Sequence, residues 1–599
     1  MESSMDTEPA GTRWVLAPQP SEEEVERLQE HLKKGGSPLS EPLARLLLQR
    51  GIDEGKARSF FLPSLEELHD PFLMKGMGAA VERLTEAVSG NEKILVLGDY
   101  DVDGTTAVAM LADELERMGK SPLTHIPDRY EEGYGISHRA VDRAIEGKVG
   151  LILTLDCGIK GHESIQRALD AGIDTIVCDH HRPDQSLPPS YAVLDPERSD
   201  DPYPFPGLSG CGVAFKLLHA FYIQHELAFE KLHAHFDLLA ISIAADIVPM
   251  TDENRIFTHF GLQRIEKDPR PGIRALKECS GVDDERMDVT QLVFTIGPRI
   301  NAAGRMDHGS RAVELLNAGE EEAISGGGLL DERNQERRNL DQRMTREALE
   351  QIREKPRSEE DHTTVVHHPD WHKGVIGIVA SRLIEHYYRP TIVFCGSGSE
   401  VTGSARSVKG FDIHQALSRC SHYLQRFGGH RYAAGMTLCE EDLPAFRKAF
   451  EEEVRKAISP DLLVPEFQAD TELDLKRIEA RFFWTLQRFG PFGPGNLQPL
   501  FLTRRVVAES VKGVGKDKAH LKLLLYQEDD HGSRFPAIAF RMGSLYPRIL
   551  TGESFHILYH IEMNEFKGKR SIQLRIKDIK FGEAEEVLAT HSRDRAFVT

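Results

Sequence analysis

Ile94-Leu95-Val96-Leu97-Gly98-Asp99-Tyr100-Asp101-Val102-Asp103-Gly104 decides the fold. An uninterrupted apolar run of four residues reads as a strand buried on both faces, the mark of a parallel sheet. It ends in three aspartates at alternate positions. Three carboxylates so close repel one another, and each loses several kcal/mol of solvation on burial unless a cation compensates. A calcium loop of the D-x-D-x-D-G type is the obvious competitor. It fails because position twelve is Met110 rather than a bidentate glutamate, and because a strand precedes the loop where a helix should.

Working outward, the same architecture recurs. Leu151–Leu155 runs into Asp156, Thr175–Cys178 into Asp179-His180-His181, and Ile241–Ala245, helix or strand, into Asp246-Ile247-Val248-Pro249. Ligands of open α/β sheets sit beyond the carboxyl ends of the strands, so these groups are expected to converge at strand ends in one crevice. Carboxylates with imidazole and without thiolate suit manganese or magnesium. Two such cations about 3.5–4 Å apart are suited to phosphodiester hydrolysis.

The rest of the chain supplies context. Residues 1–20 are expected to form a partly ordered tail, and Glu22–Leu68 has helical spacing. Glu320–Lys355 carries Leu340, Met344, Ala348 and Ile352 at steps of four, a long charged helix suited to joining domains. Thr363–His367, Val375–Tyr388 and Thr391–Phe394 form a second α/β pattern. Beyond residue 465 five strand candidates (Phe501–Val507, Leu521–Leu525, Ala537–Phe540, Phe555–Ile561 and Ile572–Ile576) fit an OB-fold-like β-barrel. The expected division is 1–68, a tail and helical segment; 69–318, a parallel-sheet catalytic domain; 319–356, the connecting helix; 357–460, the second α/β domain; 461–583, the barrel; and 584–599, a C-terminal tail.

The 599 residues carry a net charge of −21, which argues against a generally basic surface for nucleic acid. Binding depends on the local field, however. The barrel segment concentrates Lys567, Lys569, Arg570, Arg575, Lys577 and Lys580 against Asp578, with Arg504, Arg505, Lys512, Lys516 and Lys518 adding to it and Phe566 available to stack on a base. Seven scattered cysteines without a C-x-x-C pair point to a reducing compartment. No signal peptide and no membrane span are legible, so a cytoplasmic location is expected.

In order and spacing, Asp99–Gly104, Asp156, Asp179-His180-His181 and Asp246–Pro249 resemble the successive motifs of the DHH phosphoesterase superfamily. Leu97–Gly104 and Pro298–Arg305 are similar to its branch of single-strand-specific 5′ exonucleases. That resemblance implies a DHH-type sheet domain and a DHH-associated second domain. It also implies Asp101, Asp103, Asp156, His180 and Asp246 as ligands of two Mn2+ or Mg2+ ions, with Asp156 bridging. Asp99 would either bind metal or orient water, and His181 would lie beside the scissile phosphate. Leu97 replaces the histidine found in many members, which implies a weaker first metal. Arg305 would contact the scissile region and Arg129 the 5′ end. In the second domain Ser404 and Arg406 would hold a 5′-terminal phosphate, beside the glycine-rich Gly428-Gly429-His430. The activity implied is 5′-to-3′ digestion of single-stranded DNA to 5′-mononucleotides in recombination and repair, alongside single-strand-binding protein and a helicase. Cleavage of short oligoribonucleotides or cyclic dinucleotides, or a non-catalytic role in strand binding, are the competing readings; the barrel and the full ligand set weigh against them.

Overall fold

The computed structural model describes residues 11–281, 287–354, 361–566, 568–583 and 587–588. Two compact units divide the chain: residues 63–346 with 491–496, and residues 1–62, 347–490 and 497–599.

In the first unit, strands β1 (Ile94–Gly98), β2 (Leu123–His125), β3 (Leu151–Leu155), β4 (Asp174–Cys178) and β5 (Ala192–Leu194) form a wholly parallel sheet ordered β2-β1-β3-β4-β5. Every residue of β1 and β3 is buried, in keeping with their apolar runs, which only Thr154 in β3 interrupts. The chain winds from β1 outward to β2 and then returns to the other side of β1 as β3. The topological switch therefore lies between β1 and β3, and the residues that follow those two strands are Asp99 and Asp156.

Helices α1 (Val102–Arg117), α2 (Gly210–Gln224), α3 (Phe236–Asp246) and α4 (Asp252–Lys267) complete this core. The α2 and α3 helices are apolar on nearly all sides and sit inside the unit. The apolar run that ends at Asp246, read above as helix or strand, is helical, so Asp246 closes a helix where Asp99, Asp156 and Asp179 follow strands. An apolar run of this length carries no period that separates a buried helix from a buried strand.

The long helix α5 (Glu320–Glu354) spans 35 residues, about 52 Å at helical rise, and the chain passes from one unit to the other within it. In the second unit, β6 (Thr364–His368), β7 (Thr391–Cys395), β8 (Val401–Arg406), β9 (Arg426–His430) and β10 (Ala433–Leu438) form a mixed sheet ordered β9-β10-β8-β7-β6. A barrel follows: β11 (Thr471–Glu472), β12 (Phe501–Val514), β13 (His520–Gln527), β14 (Asp530–Ala539), β15 (Phe555–Phe566) and β16 (Lys569–Phe581). The five long strands run β12-β13-β14-β16-β15, and the β12–β15 pairing closes them, leaving no free edge among them.

The stretch expected to be a tail is structured from residue 11 onward. Arg13–Leu16 is a strand that pairs in parallel with Glu466–Ala469. Trp14 is fully buried, its indole Nε1 donating to Asp578 at 2.8 Å while the Lys580 ammonium lies 5.0 Å from the ring centre. A four-residue strand whose partner is 453 residues away leaves no local signal. The Phe566 side chain and Lys567, named above for strand binding, lie outside the described residues. Of the other barrel cations, Arg504 and Arg570 pair with Glu472 and Glu565, and Arg575 lies 5.6 Å from the exposed Phe540 ring.

Candidate metal centre

Asp99 follows β1 and Asp156 follows β3, the latter with φ at +58°, a left-handed conformation that costs about 1–2 kcal/mol outside glycine. Such strain persists where surrounding structure over-determines it, typically at functional sites. Asp101 caps α1, accepting from the Gly104 amide at 3.1 Å. Asp103 lies buried in the first turn of that helix. His180 and His181 follow β4, and Asp246 is the last residue of α3. Gly104 is needed here, since a Cβ would stand 2.4 Å from the Asp99 backbone.

These side chains converge. Asp103, His180 and Asp246 place ligand atoms within 4.8 Å of one another, as do Asp99, Asp101 and Asp156, and also Asp156, His180 and His181. His180 Nε2 lies 3.1 Å from Asp156, 3.6 Å from Asp246 and 3.7 Å from Asp103. One of the three groups is therefore all carboxylate and two contain imidazole, with Asp156 and His180 each shared between two groups.

The electrostatics call for cations. Burial, then the neighbouring Asp101, pushes the Asp99 carboxyl well above its ordinary pKa. Burial together with Asp103, Asp101 and Asp246 does the same to Asp156. Asp246 is raised by burial and by Asp103, with His180 opposing. Burial disfavours a charged His180, but Asp103 and Asp246 outweigh it and its pKa rises. Asp99 Oδ1 is buried without a hydrogen-bond partner among the described residues. Oxygen and nitrogen donors, clustered negative charge and an orphaned carboxylate oxygen together fit a pair of hard divalent ions.

Asp179 plays a different part. It accepts from the amides of Ile159, His180 and His181, and from His181 Nδ1 at 2.7 Å. Burial would raise its pKa, yet the His181 hydrogen bond and charge win and lower it. An ionised carboxylate only accepts, so His181 holds its proton on Nδ1. Tyr134, unmarked in the sequence reading, donates to the Asp156 carbonyl at 3.0 Å and stands edge-on to His181.

Arg129 stacks on Tyr100, its guanidinium carbon 3.9 Å from the ring centre. Arg305 lies in the helix Gly297–Met306, and its carbonyl accepts from Tyr130 at 2.6 Å. Both arginines favour ionisation of the Tyr100 phenol, but burial prevails and pushes its pKa up to about 12. The aspartates, histidines, Arg129 and Arg305 all belong to the first unit.

Ser404, Arg406, Gly428, Gly429 and His430 belong to the second. Ser404 is paired through Gly435 to Gly428, and Arg406 through Ala433 to His430, so the three strands set these residues in two rows. Arg406 donates to Ser404 Oγ at 3.2 Å and to the Ala405 carbonyl at 2.8 Å. Gly429 has φ at +144°, and a Cβ there would meet the Ala433 carbonyl at 2.4 Å.

Sequence reasoning also missed Ser209, Gly210 and Ser242, which surround Asp103. Gly210 and Cys211 donate backbone amides to it at 2.6 and 2.8 Å, and the Ser242 hydroxyl does so at 2.7 Å. The one available sign was that Ser242 stands a helical turn before Asp246.

A switch-point carboxylate crevice in one unit, with a DHH-associated-type sheet and a closed barrel in the other, defines a DHH-type phosphoesterase. Family models describing the DHH N-terminal domain, the DHHA1 domain and the RecJ OB domain match residues 93–243, 361–456 and 469–578. The chain is 35% identical over 576 residues to the single-stranded-DNA-specific exonuclease RecJ of Bacillus subtilis, covering 95% of this chain and 71% of that one. It is also 35% identical over 534 residues to the Escherichia coli RecJ exonuclease, covering 84% and 90%. The crystal structure of RecJ from Thermus thermophilus in complex with Mn2+ superposes with a TM-score of 0.82 at 29% identity, covering 96% of this chain and 80% of that one. The chain belongs to the RecJ family.

Proposed function

We propose that this protein is a metal-dependent exonuclease that digests single-stranded DNA from 5′ to 3′ and releases 5′-mononucleotides. The observation that carries this reading is the convergence of Asp99, Asp101, Asp103, Asp156, His180 and Asp246 at the sheet's switch point, in a chain of the RecJ family. Asp101, Asp103, Asp156, His180 and Asp246 would hold two Mn2+ or Mg2+ ions, with Asp99 grouped beside Asp101 and Asp156. When bound, these ions supply a hydroxide-like nucleophile and Lewis-acid stabilisation at phosphorus.

The chain's own residues orient the substrate. His181, its Nδ1 proton accepted by Asp179 and its Nε2 3.3 Å from the Tyr134 hydroxyl, would lie beside the phosphate. Arg129 and Arg305 bring positive charge next to Tyr100, suited to forked contacts with phosphate oxygens. In the second unit, Ser404 and Arg406 would receive a 5′-terminal phosphate, and Gly428-Gly429-His430 would let backbone amides approach it. The barrel would follow the strand, with Phe540 and Arg575 as a stacking and charge pair. A role in DNA recombination and repair in the cytoplasm, alongside single-strand-binding protein and a helicase, follows the family. No described helix is long and apolar enough to cross a membrane.

End-labelled single-stranded and blunt duplex oligonucleotides incubated with Mn2+ test the reading. Mononucleotide release from the single strand alone is expected, and Asp103→Ala or His180→Ala should abolish cleavage while retaining strand binding. Equal digestion of the duplex, or full activity in Asp103→Ala, overturns it.

A further inference from the structure

We propose that Ser242, Ser209 and Gly210 form a positioning shell that leaves Asp103 a single free lone pair toward the metal crevice. This inference rests on the metal-centre reading above.

The directions of the hydrogen bonds are determined by donor counting. The Gly212 amide donates to Ser209 Oγ at 3.1 Å, so Ser209 accepts there. Ser242 has one hydroxyl proton, and Asp103 Oδ1 can only accept it, at 2.7 Å. The 2.6 Å contact between Ser209 Oγ and Ser242 Oγ must then be donated by Ser209. The result is one directed chain: Gly212 amide to Ser209, Ser209 to Ser242, Ser242 to Asp103. Every hydroxyl in it is buried, and each link polarises the next.

Asp103 Oδ1 spends both lone pairs on Ser242 and the Cys211 amide; Oδ2 spends one on the Gly210 amide. The remaining lone pair is on Oδ2, the oxygen 3.7 Å from His180 Nε2. Asp103 is thereby restricted to monodentate ligation from a fixed direction.

The same shell ties the other ligands together. Ser242 and Asp246 are one turn apart on α3, so the helix that orients Asp103 also carries Asp246. Gly210, at the start of α2, lies so close that a Cβ there would be 2.5 Å from Asp156 Cβ. Removing an outer partner of a metal ligand typically costs 10–100-fold in affinity.

The test is Mn2+ binding to the full-length protein without DNA, read as free Mn2+ by electron paramagnetic resonance, with thermal unfolding in chelator alongside. Ser242→Ala is expected to weaken Mn2+ binding about tenfold, and Ser242→Cys, which retains a weak donor, to fall between it and wild type. Unchanged affinity in a folded Ser242→Ala protein overturns the proposal. Should that variant not fold, Ser209→Ala decides: a severalfold loss supports the shell, and wild-type affinity overturns it. Asp246→Asn separates the two readings, because wild-type Mn2+ stoichiometry there sinks the metal centre itself, whatever Ser242 does.

Discussion

Gly210→Ala sets helix propensity against packing. Alanine is favoured over glycine by about 0.8–1 kcal/mol in a helix interior, and that is the upper limit of what α2 considered alone would gain at Gly210, its first residue. The added Cβ, however, would stand 2.5 Å from Asp156 Cβ, 2.7 Å from its Cα and 2.8 Å from Oδ1. Comfortable carbon–carbon separations are about 3.5–4.0 Å, so one side must retreat by about 1 Å. Both sides are backbone-anchored and buried, and overpacking of this kind costs about 1–3 kcal/mol. Packing wins, with a net loss of about 0–2 kcal/mol. At roughly 2–4 °C per kcal/mol for a unit of this size, unfolding shifts by only a few degrees. The effect on catalysis is larger, because Asp156 belongs to two of the three ligand groups and a misplacement of about 1 Å costs about 100-fold in rate. The assay is mononucleotide release from 5′-labelled single strands at saturating Mn2+, beside thermal unfolding. Gly78→Ala, in the helix Met77–Ser89 with open space around its Cβ, is the control and should be neutral or slightly stabilising. Wild-type turnover in Gly210→Ala would refute the reasoning.

Other outcomes follow from the same structure. Asp99, Asp156 and Asp246 have raised pKa values, so their contribution is favourable below the ordinary carboxylate range and is lost as pH rises through their folded values. His180, also raised, acts with the same sign from the ordinary histidine range upward. The metal-free melting temperature should therefore fall as pH rises above the ordinary carboxylate range, while the gain from Mn2+, about 2.7 kcal/mol at a hundred times Kd, grows in the same direction; a flat metal-free profile in differential scanning calorimetry contradicts this. Lys216 and Glu253 are fully buried and 2.7 Å apart, with burial holding the lysine pKa below its ordinary value despite Glu253. Lys216→Met strands the carboxylate and should cost about 3–5 kcal/mol, and Lys216→Met with Glu253→Leu should recover most of it in urea unfolding. Arg406→Ala should remove the preference for 5′-phosphorylated over unphosphorylated ends; an unchanged ratio of rates argues against that pocket.

The amino-acid sequence by itself determined the parallel sheet and the carboxylates beyond β1 and β3. Strands buried on both faces require continuous apolar runs, and an aspartate at the end of each is a local, visible break. The second α/β domain, the long helix and the barrel strands were legible for the same reason: each is a local period. Only the tertiary structure decided what depends on distant partners. Ser242 and Gly210 reach Asp103 across 139 and 107 residues, and neither residue type has any intrinsic tie to metal chemistry. Asp246 ends a helix because its apolar run is surrounded by core on all sides, a condition that erases periodicity. Trp14 is buried through a strand partner near the far end of the chain. The division of the candidate ligands into one all-carboxylate group and two imidazole-containing groups was likewise a matter of three-dimensional distance, because which ligands come together depends on where strand ends and helix termini meet.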